Sequence, residues 1–246
     1  MRCAIFSDVH ANLNALLAAR ASIARDEVDR IYCLGDTVGY GGWPNQCCNI
    51  VRRMAQMTVL GNHDAAVAGR MNYDYYYDSA RNVLDLHSRM LTPDNLKWLR
   101  RIPYTKRIPD IDALLTHGSP LHPEKFDYIF EMDHVQRLFT MIDRLPLVTF
   151  LGHLHLCKVY IIEDYDVHEV PDRDFRLSTD GVRYIVSVGS VGQPRDLDNR
   201  ACYVLWDTDD MRLTFRRQPY DIEAAGDKIR EADVDPNFAQ RLILGW

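Results

Sequence analysis

The feature that most constrains the fold of this sequence is an alternation of apolar and amphipathic segments before Leu60. Apolar runs at residues 3–6, 30–34 and 57–60 predict β-strands, and helices are predicted over 13–25 and from Pro44. Such alternation is typical of neighbouring parallel strands covered by helices. The carboxyl ends of parallel strands share one edge of a sheet, where α/β proteins build their sites.

The periodicity changes after Tyr104, where short β-rich segments dominate. Strands are predicted over residues 113–116, 147–151, 158–162, 183–188, 202–207 and 211–217. Helices are predicted over 76–90, from Thr92-Pro93, and once or twice within 221–246. A strand-rich half after a βαβ half predicts an α/β fold in which two mixed sheets pack as a sandwich flanked by helices. We predict a single domain over residues 1–246.

Charge and cysteine content restrict the partners and the compartment. The chain has 29 basic and 35 acidic residues, a net charge of −6, which argues against stable binding to duplex nucleic acid through phosphate contacts. Its six cysteines are scattered without a CxxC pair, as expected of small core residues in a reducing compartment. Neither a signal-peptide core nor the roughly 18 apolar residues of a membrane span is present. We therefore predict a cytoplasmic protein without membrane association.

Five predicted strands lead directly into polar clusters that contain potential metal ligands. The clusters are Asp8-Val9-His10, Gly35-Asp36, Gly61-Asn62-His63-Asp64, His117-Gly118 and Gly152-His153-Leu154-His155. Carboxylates, imidazoles and one amide oxygen form a mixed oxygen and nitrogen ligand set. Such a set suits Zn, Mn, Fe or Co better than Ca or Mg.

In this order, the five clusters resemble the motif blocks of the calcineurin-like metallophosphoesterase superfamily. Residues 189–195 resemble the closing block of its small bacterial and archaeal phosphodiesterase-like branch. The resemblance implies a four-layer α/β/β/α fold and a dinuclear centre of two divalent or mixed-valence transition metal ions, drawn from Mn, Fe, Zn, Co and Ni. The implied ligands are Asp8, His10 and His155 for one ion, Asp36 for both ions, and Asn62, His117 and His153 for the second.

The resemblance also implies the catalytic roles. A metal-bridging hydroxide attacks phosphorus, His63 protonates the leaving alkoxide as a general acid, and Asp64 holds His63 and raises the pKa of its imidazole. The implied substrate is a small phosphodiester or phosphomonoester. The diester is favoured because Gly39-Tyr40 stand where related protein Ser/Thr phosphatases have an Asp-Arg pair.

Alternative functions remain open on the sequence. The fold also serves nucleases, nucleotide and protein phosphatases, and catalytically silent metal-binding scaffolds. The short acidic chain leaves little room for the DNA-binding segments of a nuclease, and the presence of His63 and every implied ligand favours an enzyme over a scaffold. An oligomer is compatible with the sequence.

Several further residues have two interpretations each. Asn62 and Arg195 are candidates for substrate binding, and Arg195 could instead join a salt-bridge cluster with nearby charged residues. The tyrosines near residue 75 could form an aromatic wall for a nucleobase, a partner surface, or an ordinary packed helix start. Tyr40 and Trp43 could line the pocket. The residues of the salt-bridge cluster are Asp196, Asp198 and Arg200, the tyrosines are Tyr73, Tyr75, Tyr76 and Tyr77, and the histidines assigned a surface or helix position are His87, His122, His134 and His168.

Overall fold

The computed structural model describes residues 1–171 and 174–246, and these contain twelve strands and eight α-helices. The strands are β1 (Arg2–Phe6), β2 (Arg30–Cys33), β3 (Met57–Thr58), β4 (Thr105–Ile108), β5 (Ala113–Thr116), β6 (Val148–Leu151), β7 (Cys157–Glu163), β8 (Asp166–Val170), β9 (Phe175–Arg176), β10 (Arg183–Val188), β11 (Ala201–Asp207) and β12 (Arg212–Gln218). The helices are α1 (Leu13–Arg25), α2 (Pro44–Met54), α3 (Asn62–Val67), α4 (Asp78–Met90), α5 (Pro93–Leu99), α6 (Met132–Gln136), α7 (Ile222–Glu231) and α8 (Asn237–Leu244).

The strands form two six-stranded mixed sheets. The first has the order β3-β2-β1-β11-β12-β9, with β1, β2 and β3 parallel and β11 antiparallel to β1. The second has the order β4-β5-β6-β10-β7-β8, with β5, β6 and β10 parallel. This arrangement confirms the predicted sandwich of two mixed sheets flanked by helices.

Both faces of the central strands are buried. In β1, Cys3 and Ile5 join the core between the two sheets, whereas Ala4 and Phe6 pack with residues of α1 and α2 on the outer face. Successive side chains of a strand point to opposite faces, so a strand that is covered on both sides must be apolar throughout. Residues of α6 cover the outer face of the second sheet in the same way.

The predicted elements agree with the observed ones over most of the chain, and the differences concern short or exposed elements. The strands β4, β8 and β9 and the helix α6 were not predicted. Strand β4 has no buried residue and β8 has one, while β9 and α6 are only two and five residues long. The predicted strand at 57–60 ends at Thr58. The helix α3 was not predicted either, and it begins at Asn62 within the cluster Gly61-Asn62-His63-Asp64.

The remaining expectations concern the cysteines and membrane spans. All six cysteines are free thiols and five of them are buried, as expected of core residues. Within residues 1–171 and 174–246, none of the helices is both long and apolar enough to cross a membrane.

Candidate metal centre and its cavity

The carboxyl ends of five strands bring all seven predicted ligands to one edge of the sandwich. Asp8 follows β1 and Asp36 follows β2, and β6 leads into the loop that carries two histidines. Each of the seven side chains is buried, with at most 7% of its surface exposed. The seven residues are Asp8, His10, Asp36, Asn62, His117, His153 and His155.

The backbone at this edge is strained. Five of the predicted ligands have a positive φ, although left-handed backbone is uncommon for residues other than glycine. Such conformations persist where the surrounding structure enforces them, and they concentrate at functional sites. The φ angles are 55° at Asp8, 46° at His10, 51° at Asp36, 70° at His153 and 60° at His155.

Gly61 allows α3 to approach the second carboxylate. A Cβ atom at residue 61 would lie 2.1 Å from Oδ1 of Asp36, which is far too close for any side chain. Oδ1 of Asp36 instead accepts a hydrogen bond from the backbone N–H of His63 at 2.8 Å. The glycine therefore lets the first turn of α3 hold Asp36 in place.

Three of the imidazoles are oriented by backbone carbonyl groups. Because a carbonyl oxygen can only accept, each Nδ1 must donate, and in the neutral imidazole Nε2 is then the nitrogen whose lone pair faces the centre. Metal-ligating histidines are commonly held in this way. The three bonds join His10 Nδ1 to the Val38 oxygen at 3.0 Å, His117 Nδ1 to the Leu34 oxygen at 2.7 Å, and His155 Nδ1 to the Gln193 oxygen at 2.6 Å.

Several of the potential ligand atoms lie so close together that a cation between them would be stabilising. Nε2 of His10 lies 3.0 Å from Nε2 of His155, and Nε2 of His155 lies 3.5 Å from Oδ1 of Asp8. Two nitrogen lone pairs that face each other at this distance repel unless a positive charge lies between or beside them. Oδ2 of Asp36 lies 3.7 Å from Nε2 of His10 and 3.3 Å from Nε2 of His117, between two groups of ligands.

The ligand atoms fall into overlapping groups in which all atoms lie within 4.8 Å of one another. One group is formed by Asp8, His10 and His155, and another by Asp36, His117 and His153. Oδ1 of Asn62 lies 3.0 Å from Nε2 of His117 and adds an oxygen to the second group. The combination of carboxylate, imidazole and amide donors fits a transition metal in each group.

The centre contains two buried carboxyl groups, those of Asp8 and Asp36. Burial raises the pKa of Asp8 to about 7. Burial alone would lower the pKa of His117, but the adjacent Asp36 carboxylate raises it to about 9. Within the described residues, no lysine or arginine forms an ion pair with Asp8 or Asp36, so a bound cation would add positive charge that only the His117 imidazole supplies in its absence.

A cavity of about 480 Å³ opens beside this centre. Asn62, His63 and His153 line its inner end. The ring of His63 lies 4.6 Å from the ring of Tyr40, and Nδ2 of Asn62 donates a hydrogen bond to the Tyr76 hydroxyl at 2.7 Å. The structure thus places the predicted general acid and the predicted amide ligand at the wall of one cavity.

Asp64 does not hold His63, contrary to the expectation from the resemblance. Its Oδ1 accepts hydrogen bonds from the backbone N–H groups of Thr37 and Val38, at 2.9 and 3.1 Å. Asp64 therefore positions the loop that carries Asp36. Burial lowers the pKa of His63 to about 4 in the protein without bound ions, so its carboxylate neighbour in the sequence does not make it more basic.

The salt-bridge alternative for Arg195 is wrong as far as residues 1–171 and 174–246 are concerned, because none of them forms an ion pair with it. Asp196 pairs with Arg217, and Asp198 binds Arg200 through its Oδ2. The carboxylates that could have held the Arg195 guanidinium are therefore already paired with other arginines.

The Arg195 side chain instead lies near the candidate metal centre, where it contacts Gln193 and Tyr40. Its Nη2 lies 3.2 Å from Oε1 of Gln193 and 3.5 Å from the Tyr40 hydroxyl. Its Nε is buried and has no hydrogen-bond partner among the described residues. A buried donor without a partner is costly, and an anion of the substrate could satisfy it.

His87 has a structural role that the sequence interpretation missed. It is fully buried on α4, where its Nδ1 accepts from the Gly39 N–H at 3.0 Å and its Nε2 lies 3.0 Å from the Gly41 oxygen. Its spacing from the buried residues Ala80 and Leu84 follows the helical period. This pattern is the sequence signal from which its inward orientation could have been predicted. His87 braces the loop that follows Asp36.

We expect His87 to make the stability of the metal-free protein depend on pH. Burial lowers the pKa of His87 from 6.5 to about 4, so the folded chain excludes a proton that the unfolded chain binds. Its contribution is present above pH 6.5 and is lost as the pH falls towards 4, by about 3 kcal/mol. Urea unfolding of the chelator-treated protein at a series of pH values measures this loss.

The variant His87→Gln isolates the effect of this histidine. Its stability deficit relative to the unchanged protein should shrink as the pH falls from 7 to 4, because glutamine does not titrate. His168→Gln, at an exposed position on β8, is the matched control and should give a curve parallel to that of the unchanged protein. Parallel curves for His87→Gln as well would show that His87 is not a neutral brace.

Comparison with known proteins gives concordant results. The family model of calcineurin-like phosphoesterases matches residues 1–189. An uncharacterized protein of Methanocaldococcus jannaschii is 34% identical over 245 residues, 98% of this chain and 97% of that protein. A symmetrical bis(5'-nucleosyl)-tetraphosphatase of Chromohalobacter salexigens is 35% identical over 121 residues, 46% of this chain and 42% of that protein. The crystal structure of a metallophosphoesterase from Sphaerobacter thermophilus superposes with a TM-score of 0.85 at 37% identity, covering 100% of this chain and 99% of that one.

Proposed function

Because this chain belongs to the calcineurin-like phosphoesterase family and is a phosphoric ester hydrolase, we propose that it hydrolyses small phosphodiesters in preference to monoesters with a dinuclear metal centre. One observation carries the proposal. Five buried side chains converge on the two carboxylates Asp8 and Asp36, and three of the imidazoles direct Nε2 towards the centre because their Nδ1 atoms bond to backbone oxygens. Histidines with only a packing role would not be expected to direct their Nε2 atoms at one common point.

Each group of ligands has the donors for one ion. Asp8, His10 and His155 would hold the first ion, and Asn62, His117 and His153 would hold the second, with Asp36 shared between them. When bound, two such ions supply Lewis-acid stabilisation of the phosphoryl oxygens and lower the pKa of water.

The side chains at the cavity supply the remaining steps. His63 lies at its inner end, where it can donate a proton to the leaving alkoxide. The negative charge of a phosphoester beside the imidazole favours its protonated form, which offsets the effect of burial on its pKa. Asn62 is fixed by its bond to Tyr76 and presents its oxygen to the centre.

Charge supports a diester. Arg195 beside the centre and the exposed Lys125 at the cavity are the cationic side chains that we identify there among the described residues. A diester carries one negative charge at neutral pH and a monoester carries up to two. A site with few cationic side chains therefore suits the diester better.

The direct test combines metal analysis with two chromogenic substrates. We expect the purified protein to bind two transition metal ions and to hydrolyse bis(p-nitrophenyl) phosphate faster than p-nitrophenyl phosphate. A tenfold or greater preference for the monoester would overturn the diester proposal. Two bound ions without turnover of either ester would identify a catalytically silent scaffold.

Arg195→Met should weaken binding of the substrate. Its guanidinium has an unpartnered Nε beside the centre, and charge-assisted bonds to a phosphate contribute about 1.5–3 kcal/mol. We expect KM to rise by about tenfold or more while metal content stays the same. Arg200→Met is the matched control, since Arg200 is paired with Asp198 and should be dispensable for binding. An unchanged KM in Arg195→Met would remove Arg195 from the substrate site.

A further inference from the structure

Five tyrosines contribute to the wall of the cavity beside the metal centre. Tyr40, Tyr75, Tyr76, Tyr77 and Tyr128 line it together with Phe126. These rings come from three separate parts of the chain, the loop after Asp36, the segment before α4 and the segment before α6. We refer to this space of about 480 Å³ as the tyrosine cavity.

Tyr128 is already stacked on the centre. Its ring lies parallel to the ring of His153, with a centroid distance of 3.9 Å and an interplanar angle of 16°. Tyr128 has no other ring contact among the described residues and is 51% exposed, which leaves the opposite face of its ring available to a ligand. A second planar group on that open face would continue the stack and would lie beside a phosphate bound at the centre.

Tyr75 offers another exposed ring at the same cavity. It is 73% exposed and its only described ring contact is an edge-to-face one with Tyr76, at 5.0 Å and 77°. Exposed tyrosines around one concave surface are typical of sites that bind planar ligands, because every nucleobase has a face that can stack on an aromatic ring.

The lack of net charge on the cavity lining favours an uncharged ligand group. Lys125 and Asp127 are the charged residues of its described lining, so their formal charges cancel. A second phosphate or an acidic peptide would find no net positive surface there. Phenol hydroxyl groups and these two side chains can instead donate to and accept from the polar edge of a neutral heterocycle. The volume is within the range of small-molecule sites and leaves space for a ring and a sugar.

We propose that the tyrosine cavity is a nucleobase subsite, so that the preferred ester is a nucleoside phosphodiester whose base stacks on Tyr128. This inference rests on the proposed function, because the phosphate must bind at the metal centre for the base to reach the cavity. The base lies against the open face of Tyr128, and Tyr75 covers it from the solvent side.

Two diesters with the same leaving group test the subsite in the metal-loaded protein. Thymidine 5'-(p-nitrophenyl) phosphate carries a base, and methyl p-nitrophenyl phosphate does not. We expect kcat/KM to be at least tenfold higher for the thymidine ester. Tyr128→Leu should reduce this ratio by about tenfold, the size of one base stack, mainly through KM, whereas Tyr128→Phe should preserve it.

Tyr165→Leu is the matched control. Tyr165 is 68% exposed on the turn between β7 and β8 and is outside the tyrosine cavity, so the variant should keep the ratio and both turnover rates. Tyr75→Ser, at a position with few contacts, provides a second variant in which folding is not at issue and should lower the ratio as well. Equal turnover of the two esters, or a ratio that Tyr128→Leu and Tyr75→Ser leave unchanged, would overturn the subsite while the phosphodiesterase proposal stands.

Isothermal titration calorimetry tests binding of a base independently of phosphodiester hydrolysis. Adenosine 5'-monophosphate should bind the metal-loaded protein at least tenfold more tightly than inorganic phosphate, and Tyr128→Leu should remove the difference. That result without hydrolysis of either ester would support the subsite and overturn the proposed function. Tighter binding of a phosphotyrosine peptide than of the nucleotide would overturn the nucleobase assignment.

Discussion

Asp36→Asn is expected to lose bound metal and at least about a thousandfold of phosphodiester turnover, since bound ions contribute several kcal/mol of transition-state stabilisation. Oδ2 of Asp36 lies within 3.7 Å of Nε2 of both His10 and His117, so it serves both groups of ligands. The amide has the same shape but removes the negative charge that compensates the ions. Elemental analysis should show that at least one of the two ions is lost.

The control for Asp36→Asn is Asp209→Asn. Asp209 pairs with the N-terminal ammonium group at an exposed position, with 85% of its side chain accessible, and its loss should change neither metal content nor turnover. Full metal content in Asp36→Asn would show that the carboxylate is not shared between two ions. The dinuclear proposal would then need a different bridging group.

His63→Gln should reduce turnover of alkyl esters by about a hundredfold to ten-thousandfold, the usual contribution of a general acid. An alkoxide leaving group requires a proton, whereas p-nitrophenolate is a stable anion that can depart without one. We therefore expect the loss to be much smaller for p-nitrophenyl esters than for methyl esters. Steady-state kinetics with both leaving groups measures the contrast.

Metal content distinguishes the two chemical roles open to His63. His63 also forms a group with His10 and Asp36 whose ligand atoms lie within 4.8 Å of one another, so geometry permits it to ligate. We expect His63→Gln to keep both ions. Loss of an ion, or an equal loss of rate for both leaving groups, would identify His63 as a ligand instead of the acid. His122→Gln provides a histidine variant outside the ligand groups described for the centre.

Site residues whose position depends only on the strand that precedes them were predictable from the sequence. Asp8 and Asp36 follow apolar strands, and parallel strands carry whatever follows them to one edge. This rule places ligands from distant segments together without any knowledge of their contacts. It also explains why the gathering of the seven predicted ligand residues at one edge could be expected from the sequence.

Roles that depend on distant contacts were not predictable in this way. His87 braces Gly39 and Gly41 across more than forty residues of sequence, and Asp64 turns towards Thr37 instead of His63. Both outcomes are decided by the orientation of a side chain in packed surroundings. Tyr128 was overlooked for the same reason, since it precedes no motif and gains its position only by stacking on His153.

The hydrogen bond between His155 and the backbone oxygen of Gln193 has a consequence for biosynthesis. The Gln193 carbonyl fixes His155 in the orientation and tautomer that suit a ligand, and the Ser190 hydroxyl donates to the backbone oxygen of Asp8 at 2.9 Å. A nascent chain that has emerged from the ribosome only as far as His155 therefore contains every predicted ligand but lacks the carbonyl that orients one of them. Metal can be captured in the final arrangement only after the segment through Gln193 has left the ribosome and folded back onto the first strand.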